Sequence, residues 1–486
     1  MQQAALNCET HSYHRREPEK EVLYQVIADN LETFLERVQA EGHELPEYVV
    51  QEFYNYLDCG ILARGFARCA CESCGKSFAV AFSCKGRSFC GSCMGRRMAD
   101  TAAHLVDNVF PNVPVRQWVL SLPMEIRYRL AYDKKLTSDV LAVFLRVVQG
   151  WYKKKAKEQG SSDVQCGSVS YCQRFGSALN ANLHYHSILL DGVYELSDED
   201  ESAIFIPAPA PTDEDVKEVT ETTAYRVLRL LERRGVIGED DTLDPLSDEF
   251  PILAGMTGAS VQSLVATGER AGMRVRRVLS DPASGIRTSP LCYVSRGFSL
   301  HAKRKIEAHD RAGLEQLCSY IARPPLAAGT LKKISDDQFV FKLKSPWSDG
   351  TSHLLLSAHE ILEKLASIVA PPRANTTRYH GILAPNSKHR SKIVPVSNDD
   401  NRDDPEDERK KPGSSKYRLS WSALLARVFQ IDVSVCPACF GKMKIIAFVT
   451  DPLSIRRYLK GENLPTGAPP IAPARPPPQE EFNYDC

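Results

Sequence analysis

The sequence predicts an α+β protein, with a helical and zinc-ribbon block ahead of the main domain and a small module behind it. Three observations lead there. Residues 21–57 carry apolar side chains at helical spacing, a compact cysteine-rich block occupies 64–97, and from about residue 117 to 384 short apolar runs alternate with longer amphipathic ones.

Taken in order, Leu23, Val26, Ile27, Leu31, Phe34, Leu35 and Val38 recur every three or four positions, as do Val49, Phe53 and Leu57, so both runs read as helices. The runs QWVLSLP, SVSYCQRFG, HYHSILLDGVY and RGFSLHAKRK read as strands, and residues 138–158, 215–234 and 310–322 as helices. The last of these begins at Asp310, a good N-cap, and stops before Pro324 and Pro325. Residues 397–416, dense in charge and turn formers, read as a linker, and the tail GAPPIAPARPPPQEE should be extended. The division that follows is 1–98 (helical lead-in and four-cysteine DNA-binding unit), 99–395 (catalytic domain), 396–417 (charged linker) and 418–486 (small module with one CxxC and the proline-rich tail).

Composition narrows the function classes. Hydrophobic residues at 43% and charged residues at 25% suit a globular chain that buries a core. No run approaches the roughly 18 apolar residues of a membrane span, and the first twenty residues lack an apolar signal core, so a cytoplasmic protein is expected, with no membrane partner. Lys plus Arg equals Asp plus Glu at 61 each, so any nucleic-acid surface must be local. Fifteen cysteines, several of them two residues apart, point to metal rather than to a disulfide framework.

Cys71-x2-Cys74 and Cys90-x2-Cys93, separated by 15 residues, have the spacing of a four-cysteine zinc site, and the expected cofactor there is structural Zn2+. Cys69 and Cys84 lie in the same block and can replace one of the four or bind nothing. Four filled positions leave no open coordination site, so this is a staple rather than a catalyst. Lys85, Arg87, Arg96 and Arg97 crowd the block and make it a candidate DNA-holding module. Cys436-x2-Cys439 is half a knuckle with no second CxxC after it; it can pair with ligands from elsewhere or stay reduced.

His184 and His186 are two apart in a strand-like run, which places both rings on one face and Tyr185 on the other, close enough to share a divalent cation. Histidines at this spacing also occur as ordinary core residues. On the helix after Asp310, Leu314, Leu317, Cys318 and Ile321 form the apolar stripe, while Gln316 and Tyr320 fall together on another face. A phenol on a rigid helix suits covalent attack on phosphorus, and Gln316 is a candidate third metal ligand; packing at an interface is the alternative for Tyr320.

These motifs accumulate in one order: FARCACESCGKSFAVAFSCKGRSFCGSCMGRRMADTAAHL, VPVRQWVLSLP, QRFGSALNANLHYHSILLDGVY, GFSLHA, LCSYIARPPLA and RYHGILAPNSKHR. Together they resemble the insertion sequence 91 family of rolling-circle transposases, over most of the chain. The resemblance implies a histidine-hydrophobe-histidine (HUH) nuclease fold, a central antiparallel sheet flanked by helices. It implies that His184 and His186 bind a divalent metal (Mg2+ or Mn2+), and that Tyr320 attacks a phosphodiester and becomes joined to the 5′ phosphate. The activity implied is that of a metal-dependent tyrosine DNA transposase, a single-strand endonuclease and ligase acting at mobile-element ends. Founding members carry two tyrosines four residues apart; here the earlier position is Gln316, so the chain resembles a single-tyrosine branch. Many relatives also have a histidine where this chain has Asn182.

No P-loop is present, in keeping with a bond stored as phosphotyrosine. Tyr379 is the second candidate nucleophile, in a basic setting of Arg378, Lys388, His389 and Arg390 that also suits DNA contact. The clusters WYKKKAK and RAGMRVRR can neutralise phosphates or be solvated helix faces. The partner expected is single-stranded DNA, with the enzyme at the nucleoid when bound and homo-oligomerisation open. The alternatives are an HUH replication initiator or relaxase, which shares the chemistry, and a non-catalytic zinc-ribbon DNA-binding protein. A metal hydrolase acting on small phosphates is a third possibility, but the chain shows no acidic cluster of the kind that two-metal sites use.

Overall fold

The two apolar stripes near the N-terminus become helices Val22–Ala40 and Glu47–Asp58 in the computed structural model, which describes residues 15–40, 44–161, 163–196, 203–237, 244–279, 290–347, 349–395, 435–436 and 438–476. Val26, Ile27, Leu31, Phe34 and Val38 of the first helix face Val49, Phe53 and Leu57 of the second in one buried core. That core continues across residue 98. It takes in Phe89, Cys90 and Cys93, and also Ile361, Leu362 and Leu365 of helix Ala358–Ile368, whose start is fixed by a reciprocal Ser357–Glu360 capping box.

The predicted strand runs supply five strands of a seven-stranded sheet. Its order is Cys292–Ser295, Phe298–His301, Val115–Ser121, Ala181–Leu190, Gly167–Phe175 and Thr377–Gly381, with Lys305–Ile306 also on Val115–Ser121, and every ladder is antiparallel. Ala181–Leu190 is thus central. Its alternation sends Leu183, Tyr185 and Leu189 into a core with helices Lys134–Glu158 and Asp213–Arg233, while Ile188 and Leu190 enter a second core with helices Gly91–Asn108 and Arg311–Ile321. A mixed α/β protein with antiparallel sheets results.

The continuous run HYHSILLDGVY breaks at Asp191 and Gly192. A Cβ on Gly192 would lie 2.2 Å from the Ile206 carbonyl, so only glycine lets the next strand, Gly192–Leu196, pass against Ala203–Pro207. Asp191, buried, accepts from Arg116 Nε at 2.9 Å and Nη2 at 3.0 Å, and from the Tyr152 hydroxyl at 3.0 Å. Both ions are almost fully buried, so removing one strands the other. Arg116→Ala is expected to cost about 3–5 kcal/mol of stability, read as a lowered urea midpoint; an unchanged midpoint would refute the account.

A four-stranded sheet (Leu331–Lys333, Phe339–Lys342, Thr351–Leu356, Arg276–Leu279) was not anticipated from sequence. Nor was the destination of the C-terminal segment. Strand Met443–Val449 joins the edge of the N-terminal hairpin Phe66–Cys71 and Ser77–Ala81, and helix Pro452–Gly461 sets Ile455 and Leu459 against Leu62 and Phe66. Residues 467–476 of the proline-rich tail then run without regular structure along the first helix, with Ala472 N donating to Ala28 O at 2.9 Å and Arg475 N to Thr33 Oγ1 at 3.0 Å. The predicted linker at 396–417 lies outside the described residues, as do 418–434 of the predicted module. Among the described residues no helix is long and apolar enough to cross a membrane.

Candidate active site and cysteine clusters

Strand alternation puts His184 and His186 on one face, opposite Ser121 and Val119 on one neighbouring strand and Gln173 and Tyr171 on the other. Their ring centroids are 4.9 Å apart. Tyr185 points away, its hydroxyl donating to Thr137 O at 2.9 Å in the opposite core. Burial pushes the His184 imidazole down to about 4, with Arg127 and Arg323 adding to the effect, and takes His186 well below its usual range, with His184 and Arg323 adding. Both rings are therefore neutral near pH 7, the form that ligates metal.

The hydrogen bonds also orient the lone pairs. His184 Nδ1 is 2.8 Å from the Asn182 carbonyl, which can only accept, so the proton sits on Nδ1 and Nε2 keeps its lone pair. His186 Nδ1 is 2.9 Å from Gln117 Nε2. Turning that amide over sets its oxygen against Nδ1, so that Nδ1–H donates and Nε2 carries a lone pair. His186 Nε2 is buried with no hydrogen-bond partner, as is Asn182 Oδ1. Two imidazoles held by second partners, one with an orphaned ring nitrogen, fit a divalent cation.

Helix Arg311–Ile321 begins where Asp310 Oδ1 accepts from Gly313 N at 2.8 Å, as its sequence predicts. Leu314, Leu317, Cys318 and Ile321 are buried against Ala102, Leu105 and Val106, which fixes the helix's rotation. That rotation turns Tyr320, half-buried, toward the histidines: its ring lies 6.1 Å from that of His186 at an interplanar angle of 88°. Arg323 and Lys344 lie over the same ring, 4.5 Å and 4.0 Å from its centroid. Tyr320, Gln316, Ser319, Arg323 and Lys344 line a cleft of about 1050 Å3. Gln316 is exposed on its wall, one turn before Tyr320, and the histidines lie outside its lining.

Gln117 was missed in the sequence. Its signal was faint: one amide next to Arg116 in a strand that otherwise carries mostly apolar residues, buried at 7% exposure. Lys344, 24 residues beyond Tyr320 in the unanticipated sheet region, had no local signal at all. Tyr379 sits on the edge strand Thr377–Gly381 and packs on the same core, with the Arg390 guanidinium 5.9 Å from its ring centroid; Arg378 is half-buried and Lys388 exposed. Of the two basic clusters, Lys154 and Lys155 pair with Glu218 and Asp215, and Arg270 and Arg277 with Glu360 and Asp349, which favours the structural reading for these four.

The cysteines depart from the expected grouping. Cys71, Cys74, Cys90 and Cys93 do not meet; they divide between two clusters, Cys59/Cys84/Cys90/Cys93 and Cys71/Cys74/Cys436/Cys439. The reason is the hairpin between them. Cys71 and Cys74 lie at its turn, whereas Cys59 precedes and Cys84 follows its base, and strands of five or six residues separate the two ends by about 17 Å. Cys69, mid-strand, belongs to neither. In the first cluster Cys84 Sγ is 3.4 Å from Cys93 Sγ, and Cys59 Sγ is 3.6 Å from Cys90 and Cys93. Cys90 caps helix Gly91–Asn108, on which Arg96 is exposed and Arg97 donates to Lys85 O at 3.3 Å; Arg87 is exposed in the loop before it.

Residues 27–122 match the family model described as the transposase zinc-binding domain, a span that holds the whole first cluster. Residues 167–391 match the transposase model Y2_Tnp, a span that holds His184, His186 and Tyr320. No curated protein and no solved structure matches the chain.

Proposed function

The chain belongs to the insertion sequence 91 family of transposases, and on that premise we propose that it nicks and rejoins single-stranded DNA at mobile-element ends, with Tyr320 as the nucleophile, in the manner of an HUH enzyme. The observation that carries the reading is the Tyr320 ring packed 6.1 Å from His186 and flanked by Arg323 and Lys344.

The roles follow from the chemistry of the groups. His184 and His186 would hold a divalent cation, with the Gln316 or Asn182 amide oxygen available as a further ligand. A cation bound there supplies positive charge that polarises the scissile phosphate. Arg323 and Lys344 neutralise the phosphate beside the phenol and hold it for in-line attack. The Tyr320 oxygen then forms a bond to phosphorus, the P–O3′ bond breaks, and the phenol's proton ends on the departing 3′ oxygen. The 5′ phosphotyrosine conserves the bond's energy, so attack by a 3′ hydroxyl reseals DNA without a nucleotide triphosphate.

The zinc-binding match supports assigning a structural Zn2+ to Cys59, Cys84, Cys90 and Cys93 in place of the set expected from spacing. The helix that starts at that cluster, Gly91–Asn108, carries Arg96 and Arg97 and also Met98, which lines the cleft, and Arg87 lies in the loop before it. We assign these three, with Arg378, Lys388 and Arg390, to phosphate contacts.

The test is a covalent-adduct assay on a single-stranded element end. Wild type should give a DNA–protein species stable in denaturing gels, and Tyr320→Phe none. An adduct with Tyr320→Phe, or one that moves to Tyr379, would overturn the assignment.

A further inference from the structure

Cys436 and Cys439 lie beyond the matched zinc-binding span, and their partners come from the other end of the chain. We propose that Cys71, Cys74, Cys436 and Cys439 form a second zinc site, and that this ion fastens the C-terminal strand to the N-terminal hairpin. The inference is independent of the role given to Tyr320.

Geometry favours one shared ion. The four sulfurs all lie within 4.8 Å of one another, with Cys71–Cys439 at 3.4 Å and Cys74–Cys436 at 3.7 Å. A tetrahedron of thiolates about Zn2+, with Zn–S of about 2.3 Å, has sulfur–sulfur edges of roughly 3.8 Å. A disulfide would need about 2.05 Å. All four cysteines are free thiols.

The two halves are built alike although they lie more than 350 residues apart. In the first, Cys71 N donates to Lys76 O at 2.8 Å and Gly75 N to Cys71 O at 3.1 Å; in the second, Cys436 N donates to Gly441 O at 2.8 Å and Phe440 N to Cys436 O at 2.9 Å. Each turn has a left-handed residue four places after its first cysteine, Gly75 at φ +70° and Phe440 at φ +59°. These are two copies of the knuckle that aims paired thiolates at one ion. They also interlock: Glu72 N donates to Lys442 O at 3.0 Å, and a Cβ on Gly441 would stand 2.4 Å from Ser73 Oγ and 3.1 Å from Cys71 Sγ.

The docked strand needs such a fastening. Of Met443–Val449 only Met443 is buried, while Ile445, Ile446 and Phe448 are exposed by more than half. Apolar anchoring falls to Ile455 and Leu459 of the following helix. A four-thiolate zinc site contributes far more than two buried side chains. Cys74 and Cys439 are exposed, whereas Cys59, Cys90 and Cys93 of the first cluster are buried, so the second ion should exchange and be chelated first.

The test counts metal in the full-length protein. Elemental analysis should find two zinc per wild-type chain and one in Cys436→Ser/Cys439→Ser. Cobalt titration of wild type should saturate at two equivalents, both with four-thiolate absorption, and does not depend on the variant folding. With a specific protease site placed within 396–417, the cleaved C-terminal piece should stay bound to wild type and leave on mild chelation. One zinc per wild-type chain, iron in the second place, or two zinc retained by the double variant would each overturn the proposal.

Discussion

Replacing His186 with alanine should lower single-strand cleavage by roughly a thousandfold and abolish saturable Mn2+ binding, while the protein stays folded. The magnitude follows from the position of the lost group. The site offers two imidazoles, and His186 is the one whose free nitrogen is sealed in with no other partner, so one histidine alone leaves a shell too poor to hold the ion. Losing a single preorganised charge contact to a transition state costs roughly 10^2–10^3 in rate, and loss of the ion removes more than one such contact. Gln117→Leu should act through His186 and weaken Mn2+ affinity about 10–100-fold, the usual effect of removing a ligand's outer partner. Tyr185→Phe is the control. Its hydroxyl bonds to Thr137 O on the far side of the sheet, so it should cost about 1 kcal/mol of stability and leave the cleavage rate nearly unchanged. Calorimetric titration with Mn2+ and gel-based cleavage rates read all three; wild-type cleavage by His186→Ala would remove the metal from the mechanism.

What the sequence revealed was whatever is written locally. The Asp310 cap, the Leu314/Leu317/Cys318/Ile321 stripe and the alternation through His184, Tyr185 and His186 each use periods of two to four residues, and the structure keeps all of them. Long-range pairings are different. That Cys71 meets Cys439 rather than Cys90 depends on a hairpin five or six residues long and on a strand more than 350 residues away, and no spacing rule carries that information. The Lys344 ammonium over Tyr320 is hidden for the same reason: it follows a strand of a sheet whose members are scattered from Arg276 to Leu356. Tyr320 was legible as a residue off the apolar stripe, but its meeting with His186 required the packing of two helices on one sheet face.

Cys93→Ser should have the largest effect on stability of any single change. Cys93 faces both Cys59 and Cys84, so its loss opens the first cluster at its centre. Structural zinc sites of this kind contribute about 10–16 kcal/mol at neutral pH, as much as the entire stability of an ordinary domain. The helix that Cys90 caps, Gly91–Asn108, packs Ala102 and Leu105 against the Tyr320 helix, and Leu326, just past the two prolines, shares the core with Cys90 and Cys93. Damage at the cluster therefore reaches the support of the Tyr320 helix. The variant should lose one zinc, melt early or not accumulate as folded protein, and form little covalent adduct despite an intact Tyr320. Cys69→Ser changes a buried thiol that belongs to neither cluster, and should cost only about 1–2 kcal/mol with zinc content unchanged. Thermal melting with elemental analysis separates the two, and equal melting temperatures for Cys93→Ser and wild type would show that the first cluster does not hold this part of the fold together.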